Sequence, residues 1–178
     1  MKDHSLKELE RVVRLRNPLL AERLQPGLTE RRIMRMLEMA EVRGAIGPLL
    51  ELYCWKNGTI IDREMASSRT GLFPGPPYQF TELRRAIADF NSFNEAAAAD
   101  CQTERLAEAV DRYFPILWNG AVRWMAVDLK PSEGHRVMLI DADSNRPFRQ
   151  GYASFDDFIG DVIRANEEAS PPVCFQTE

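Results

Sequence analysis

The sequence predicts a single domain of the α+β class, with a mainly antiparallel β-sheet and helices packed around it. Three observations carry this prediction. The chain of 178 residues is long enough for one domain with its own core. Helical periodicity fills most of the first half, whereas apolar runs separated by turn residues fill the last third. No strand–helix–strand alternation runs through the chain, so a parallel sheet is not expected.

The composition indicates a globular cytoplasmic protein. Hydrophobic residues make up 44% of the chain and charged residues 28%, and the formal net charge is −4. A net-acidic chain is not a general binder of polyanions, so no direct nucleic-acid partner is expected. Charges interrupt the first fifteen residues, which therefore lack the apolar core of a secretory signal. No apolar run approaches the roughly 20 residues of a bilayer span, so no membrane partner is expected either.

Three helices are predicted in the first half. The first covers residues 5–16 and is interrupted at Pro18. The second begins after Thr29, the candidate N-cap. Its apolar stripe consists of Ile33, Met36, Leu37 and Ala40. Its opposite, charged face is expected to be exposed and consists of Arg31, Arg32, Arg35 and Glu38. The third runs from Leu49 to Trp55, and Asn57-Gly58 is expected to stop it in a left-handed conformation.

The middle of the chain is richer in turn residues. Residues 59–61 are a short strand candidate, and residues 67–80 cannot form a helix interior. Gly75-Pro76-Pro77 is interpreted as a stiff loop, with a proline-rich recognition segment as the alternative. Thr81 then opens a helix that places Leu83, Ile87 and Phe90 inward. A further helix is expected on Leu106, Ala109, Val110 and Tyr113.

The last third contains the predicted sheet. Asn119-Gly120 between apolar residues 114–118 and 122–129 is a strong hairpin signal. A third strand covers residues 136–141, and a fourth segment lies near Phe148. Ser154 caps a final helix with an apolar face formed by Phe155, Phe158, Ile159, Val162 and Ile163. The tail, residues 170–178, is expected to be frayed.

The sequence contains no convincing catalytic or metal-binding motif. Asp141 to Asn145 copies the start of a calcium loop, but Arg146 replaces the glycine of its sharp turn and Tyr152 replaces its closing glutamate. A polar hairpin turn explains the segment better. An alternative prediction is that Asp128, Asp141 and Asp143 come together at one end of the sheet and hold a cation. Trp118 and Trp124 flank the hairpin, either as core residues or as anchors of an interface.

The cysteines and histidines give little sign of chemistry. Cys54, Cys101 and Cys174 are scattered, which favours reduced thiols over a disulfide framework or a zinc site. Cys54 is expected to be buried and inert between Tyr53 and Trp55. His4 and His135 are expected to be exposed and not to act as ligands. A nucleophilic pair of Cys54 with His135 remains open as an alternative.

The order of several short segments resembles a known family. The helix ending in Tyr53-Cys54-Trp55-Lys56-Asn57-Gly58 is followed by Tyr78-Gln79-Phe80-Thr81-Glu82-Leu83, by a strand with Pro115-Ile116, by a strand closing on Asp128-Leu129, and by a helix beginning Ala153-Ser154-Phe155-Asp156-Asp157-Phe158. This order resembles the SUKH superfamily over about residues 27–168. The superfamily includes fungal cell-wall-synthesis regulators and many bacterial immunity proteins. The leucine-proline start usual for the helix before Asn-Gly is only loosely met by Ile46-Gly47-Pro48-Leu49.

The resemblance implies a binding role without catalysis, cofactor or metal. Bacterial members resemble immunity proteins that block a partner toxin in the cytoplasm, and a basic nuclease toxin would suit an acidic surface. The candidate partner-binding residues are Asp128, Asp141, Asp143, Asp156 and Asp157. The first alternative is a scaffold or regulator of cell-envelope synthesis, as the fungal members suggest. The second is a small hydrolase that uses Cys54 or the carboxylates between Asp128 and Asp143.

Overall fold

The computed structural model describes residues 6–60, 71–72, 78–99, 111–120, 123–130, 135–141 and 148–175. Within these ranges lie six α-helices, a five-stranded antiparallel sheet and a two-stranded antiparallel ribbon. The predicted α+β class is therefore confirmed. None of the helices in the described ranges has both the length and the apolar character that crossing a bilayer demands.

The N-terminal helix is followed directly by a second helix that the sequence did not predict. Helix α1 spans Leu6–Arg16, and helix α2 spans Pro18–Arg23. Asn17 joins them, because its side-chain oxygen accepts a hydrogen bond from the backbone nitrogen of Leu20 at 3.3 Å. Proline is well tolerated in the first turn of a helix, where its missing N–H is not needed. Pro18 therefore interrupts α1 but begins α2.

Helix α3 spans Glu30–Met39 and begins as predicted. The Thr29 hydroxyl accepts a hydrogen bond from the backbone nitrogen of Arg32 at 3.4 Å. Ile33 and Leu37 are buried. The opposite face is exposed, which confirms the predicted orientation, and it carries Arg31, Arg32, Arg35 and Glu38.

The Asn-Gly pair does not stop the next helix as predicted. Helix α4 spans Gly47–Trp55, and Lys56 ends it in an extended conformation. Asn57 and Gly58 lie instead in strand β2, Lys56–Thr59, which pairs with strand β1, Leu24–Pro26. Gly58 does have a left-handed φ of 85°. The predicted strand at residues 59–61 therefore begins earlier, and Ile61 lies outside the described residues.

The five-stranded sheet has the order β3-β4-β5-β6-β7, and every neighbouring pair is antiparallel. Its strands are β3, Gln79–Phe80; β4, Tyr113–Trp118; β5, Arg123–Asp128; β6, Val137–Asp141; and β7, Phe148–Tyr152. The predicted hairpin is confirmed, and Asn119 closes it through a side-chain oxygen that accepts from the Arg123 backbone nitrogen at 3.1 Å. Tyr113 begins β4, so it does not belong to the helix predicted to include it, and the other residues of that predicted helix, Leu106, Ala109 and Val110, lie outside the described residues.

Two further helices pack against strands of the large sheet. Helix α5 spans Leu83–Ala99, and helix α6 spans Phe155–Glu168. The predicted cap of α6 is confirmed, because the Ser154 hydroxyl accepts from the Asp157 backbone nitrogen at 3.0 Å. A short 3-10 helix follows at Val173–Phe175, in the tail where we expected a frayed end. The segment Gly75-Pro76-Pro77, residues 100–110 and residues 142–147, which contain the predicted turn, lie outside the described residues.

The large sheet is strongly curled. Tyr113 on β4 and Phe148 on β7 are separated by two intervening strands, and the strand registers place them at opposite ends of their strands. In a flat sheet their backbones would therefore lie about 20 Å apart. Their ring centroids nevertheless lie only 5.3 Å apart. Curling encloses a second, small core on this face, whose members are Tyr113, Ala126 and Ile140 with Phe93, Trp124, Met138 and Phe148 against them. Trp124 therefore packs in a core, one of the two roles predicted for it.

The main core joins the helices to the other face of the sheet. It takes apolar residues from α1 to α6 and from the inward positions of the strands, so the two halves of the chain share one interior. Helix α1 lies against α6, and Arg11 of α1 approaches Glu167 of α6 with an N···O distance of 3.7 Å. The two ends of the described chain are therefore packed together on the same side of the core.

Candidate functional site

Asp156 and Asp157 are the most accessible of the predicted acidic residues that the structure describes. Both are exposed and lie in the first turn of α6, where the helix dipole favours negative charge. Within the described part of the chain, neither carboxylate pairs with a basic side chain. The capped start of α6 therefore presents two adjacent, uncompensated negative charges on a rigid element.

Asp128 has a structural role. It is 1% exposed, and Arg112 donates to both of its oxygens, from Nε at 3.0 Å and from Nη2 at 2.8 Å. The backbone nitrogen of Lys130 donates to the same carboxylate at 3.1 Å. The charge is buried and paired, so Asp128 is not part of an exposed acidic surface and the prediction for this residue is wrong.

Asp141 lies at the other end of the sheet. It pairs in register with Arg123, the first residue of β5, while Asp128 is the last residue of that strand. Five residues of strand separate those positions by about 17 Å. The Asp141 carboxylate is also bound to the Arg123 guanidinium, with an N···O distance of 2.9 Å. Asp128 and Asp141 therefore do not gather around one cation, and Asp143 lies outside the described residues.

A surface cleft of about 420 Å³ adjoins the start of α6. It lies between strand β7, helix α6 and the short C-terminal 3-10 helix. Asp157 therefore belongs both to the exposed acidic pair and to a concave surface. The cleft is lined by Arg149, Gln150, Gly151, Tyr152, Asp157, Asp161, Val173 and Cys174.

Asp161 organises the inner wall of this cleft. One of its oxygens accepts from the Tyr152 hydroxyl and from the Val173 backbone nitrogen, both at 2.8 Å. Arg164 donates to the other oxygen from Nε at 2.8 Å and Nη2 at 2.7 Å. Each oxygen thus has two donors, and the hydrogen bonds tie β7, α6 and the C-terminal segment together. The wall of the cleft is therefore held in one arrangement.

Two titratable groups of the cleft, Cys174 and Tyr152, hold their protons more tightly than usual. Burial raises the pKa of the Cys174 thiol to about 11, although the Tyr152 hydroxyl lies 3.1 Å from its sulfur. Burial also raises the pKa of Tyr152, and contact with Cys174 and Asp161 raises it further. Thiolate and phenolate are therefore scarce at neutral pH. In the ranges that the structure describes, no three His, Cys, Asp or Glu side chains come together as metal ligands.

Cys54 differs from its predicted environment. It lies on the outward side of α4 and is exposed, so the expectation of a buried thiol is wrong. Partial desolvation at the helix surface and the nearby Glu30 carboxylate raise the pKa of Cys54. An activating histidine would lower that pKa, so the titration of Cys54 gives no support to a pair with His135. His135 itself is half-buried instead of exposed.

Sequence reasoning missed the cleft because its lining comes from three separate segments. Arg149 and Tyr152 are on β7, Asp161 is on α6, and Cys174 follows that helix. Asp161 stands one turn beyond Asp157, so helical spacing could have placed both carboxylates on one side of α6. The tyrosine and cysteine carry no sequence pattern that would connect them to that helix.

The sequence matches no protein-family model and no curated protein. The class of protein is therefore defined by its own geometry. It is an α+β protein with a curled antiparallel sheet, whose C-terminal helix begins with two exposed aspartates beside a rigid surface cleft.

Proposed function

We propose that this chain is a non-enzymatic cytoplasmic binding protein that neutralises a partner toxin by occlusion, as immunity proteins of the SUKH type do. The observation that carries the proposal is the pair Asp156 and Asp157, exposed and without a basic partner in the described chain. A basic surface on the toxin would supply the missing positive charge. The order of sequence segments that resembles the SUKH superfamily supports the same function.

The electrostatics favour a basic partner such as a nuclease. The chain has a formal net charge of −4, so a positively charged toxin would be attracted before contact. Charge complementarity increases the association rate and excludes wrong partners more than it adds affinity. A nuclease needs a basic surface to hold the phosphates of its substrate, and covering that surface is enough to inhibit it. No chemical step by the inhibitor is required.

The rigidity of the site also supports binding. Ser154 caps α6, and the hydrogen bonds of Asp161 fix the cleft beside it. Side chains that are already held in place lose little conformational entropy when a partner binds. The cleft can therefore receive a projecting side chain of the toxin while the two aspartates contact its basic rim.

A charge reversal tests this proposal. Genes next to this one are screened for a toxin, and that toxin is expressed in bacteria together with the wild-type chain, with Asp156→Lys/Asp157→Lys, or with Glu22→Lys/Glu95→Lys. The control makes the same change in net charge at two exposed glutamates, on α2 and α5. We expect the wild type and the control to protect the cells and the aspartate variant to lose protection. Equal protection by all three proteins would refute the role of the acidic pair.

The alternative function, a regulator of cell-envelope synthesis, predicts different experimental results. If no toxin gene lies next to this one, and the purified chain captures an enzyme of envelope synthesis, the toxin proposal fails. Loss of that capture in Asp156→Lys/Asp157→Lys would assign the same surface to the regulatory partner. Retained capture would place the regulatory contact elsewhere on the protein.

A further inference from the structure

Helix α3 has a broad outward face whose residues are exposed in the described chain. Its inward stripe is narrow, with only Ile33 and Leu37 fully buried. Met34 is 43% exposed and Met39 is 75% exposed, and both are among the few large apolar side chains on the surface. The charged members of this outward face are Arg31, Arg32, Arg35 and Glu38.

Two opposite charges on this face, Arg31 and Glu38, lie at equal distances on either side of the middle of the helix. Helix α3 spans Glu30–Met39, so its midpoint lies between Met34 and Arg35. When two copies of the helix pair antiparallel about that midpoint, Arg31 of each copy stands opposite Glu38 of the other. The pairing thus creates two equivalent ion pairs. A twofold arrangement repeats every favourable contact, which is why such dimers are the commonest assemblies.

We propose that two copies of this chain associate through α3 in an antiparallel, twofold-symmetric contact. Met34 lies close to the symmetry axis, where it meets Met34 of the second copy. Methionine is flexible and polarisable, and it is often used at adaptable protein surfaces. Met39 lies about 7 Å from the axis along the helix, because each residue advances the helix by about 1.5 Å. It therefore does not meet its own counterpart.

The contact is small, and one residue opposes it. A single pair of ten-residue helices buries less than the roughly 1,200 Å² of a stable interface, so we expect a dissociation constant between about 1 µM and 1 mM. Arg35 also lies beside the axis, so the contact brings two guanidinium groups near each other. Replacing Arg35 by Ala should therefore strengthen the dimer.

The charge pairs are tested by reversing them singly and together. Sedimentation equilibrium is measured on the wild type, Arg31→Glu, Glu38→Arg and the double variant. Each single change should raise the dissociation constant by at least about tenfold, since each turns two attractions into repulsions. The double variant should return to within about threefold of the wild type, because it regenerates both pairs with opposite polarity. Arg84 is an exposed residue on α5, and Arg84→Glu should leave the dissociation constant unchanged.

A cysteine scan tests the position of the axis. Met34→Cys and Met39→Cys are oxidised under mild conditions, and peptide mapping identifies the linked residues. Facing helices bring residues on the axis within the Cα separation that a disulfide needs. We expect a Met34→Cys dimer linked through residue 34 and little linkage through residue 39, although Met39 is the more exposed side chain. A wild type that is monomeric at about 1 mM, an unrestored double variant or preferential linkage through residue 39 would overturn the proposal.

Discussion

The side-chain oxygen Oδ1 of Asn57 accepts a hydrogen bond from the backbone nitrogen of Leu83 at 3.2 Å, across 26 residues of sequence. Leu83 is the first residue of α5, whose first-turn N–H groups have no partner inside the helix. Asn57 is buried on the neighbouring strand β2. The Asn-Gly pair thus caps a distant helix, and this contact joins the two-stranded ribbon to α5.

Removing this cap should destabilise the protein. Asn57→Ala leaves the buried N–H of Leu83 without an acceptor, and we expect a loss of about 1–3 kcal/mol in the free energy of unfolding. Urea denaturation measures the loss. Asn57→Asp keeps an acceptor oxygen at a helix N-terminus, so it should cost less than the alanine change. Equal stability of the wild type and both variants would contradict the capping role.

Gly58 should tolerate no side chain, for two separable reasons. Its φ is 85°, and a Cβ added there would lie 2.5 Å from the backbone nitrogen of Glu82. Gly120 has the same φ but has no atom within 4 Å of the added Cβ. Gly120→Ala should lower the free energy of unfolding by about 1–2 kcal/mol, because only the strain of the left-handed conformation is added. Gly58→Ala should cost clearly more in the same urea titration, and equal losses would show that the close approach to Glu82 is unimportant.

The buried ion pair of Arg112 and Asp128 should matter far more than the exposed pair of Arg123 and Asp141. Removing one partner of a buried pair leaves an uncompensated charge, so Asp128→Asn should cost about 3–5 kcal/mol. The side chains of Arg123 and Asp141 are 47% and 28% exposed, and such pairs contribute under about 1 kcal/mol. Asp141→Asn is therefore the matched control. The loss in the free energy of unfolding is measured for both variants by thermal or urea denaturation. Equal losses would contradict the prediction.

Glu10 should give the protein a small dependence on acid pH. Hydrogen bonds from Arg14, Lys56 and Trp55 lower the pKa of this carboxyl below its usual value of 4.5. A lowered pKa contributes stability above the unfolded pKa, and the contribution is lost as the pH falls through the folded pKa. Glu10→Gln should therefore destabilise the protein by less than about 1 kcal/mol at pH 7. At pH 3 the difference should shrink, whereas a constant difference would exclude this titration as its cause.

Cys54 and Cys174 should react with alkylating reagents at very different rates. Cys54 is exposed, whereas Cys174 is half-buried and its pKa is raised to about 11. Only the thiolate reacts, and at pH 8 a thiol with that pKa is about one part in a thousand ionised. Iodoacetamide labelling followed by peptide mapping should find Cys54 modified first. Labelling of Cys174 should speed up about tenfold for each pH unit between 8 and 10. Comparable rates at pH 8 would contradict the protected environment of Cys174.

Local patterns in the sequence determined most of the elements. Thr29 and Ser154 cap helices from positions that their own neighbours specify, and Asn119-Gly120 turns a hairpin between two apolar strands. These features depend on hydrogen bonds within a few residues, so sequence spacing is enough to find them. The same holds for the exposed pair Asp156 and Asp157, which lie in the first turn of a predictable helix.

Contacts between distant segments were decided only by the tertiary structure. The sequence by itself determined the α+β class, the hairpin and the presence of acidic residues at the start of the last helix. It could not assign Asn57 to α5, bury Asp128 against Arg112, or form a cleft from Tyr152, Asp161 and Cys174. Those arrangements depend on how the sheet curls and on which segments pack together. Burial and pairing then decide whether a polar residue supports the fold or remains available to a partner.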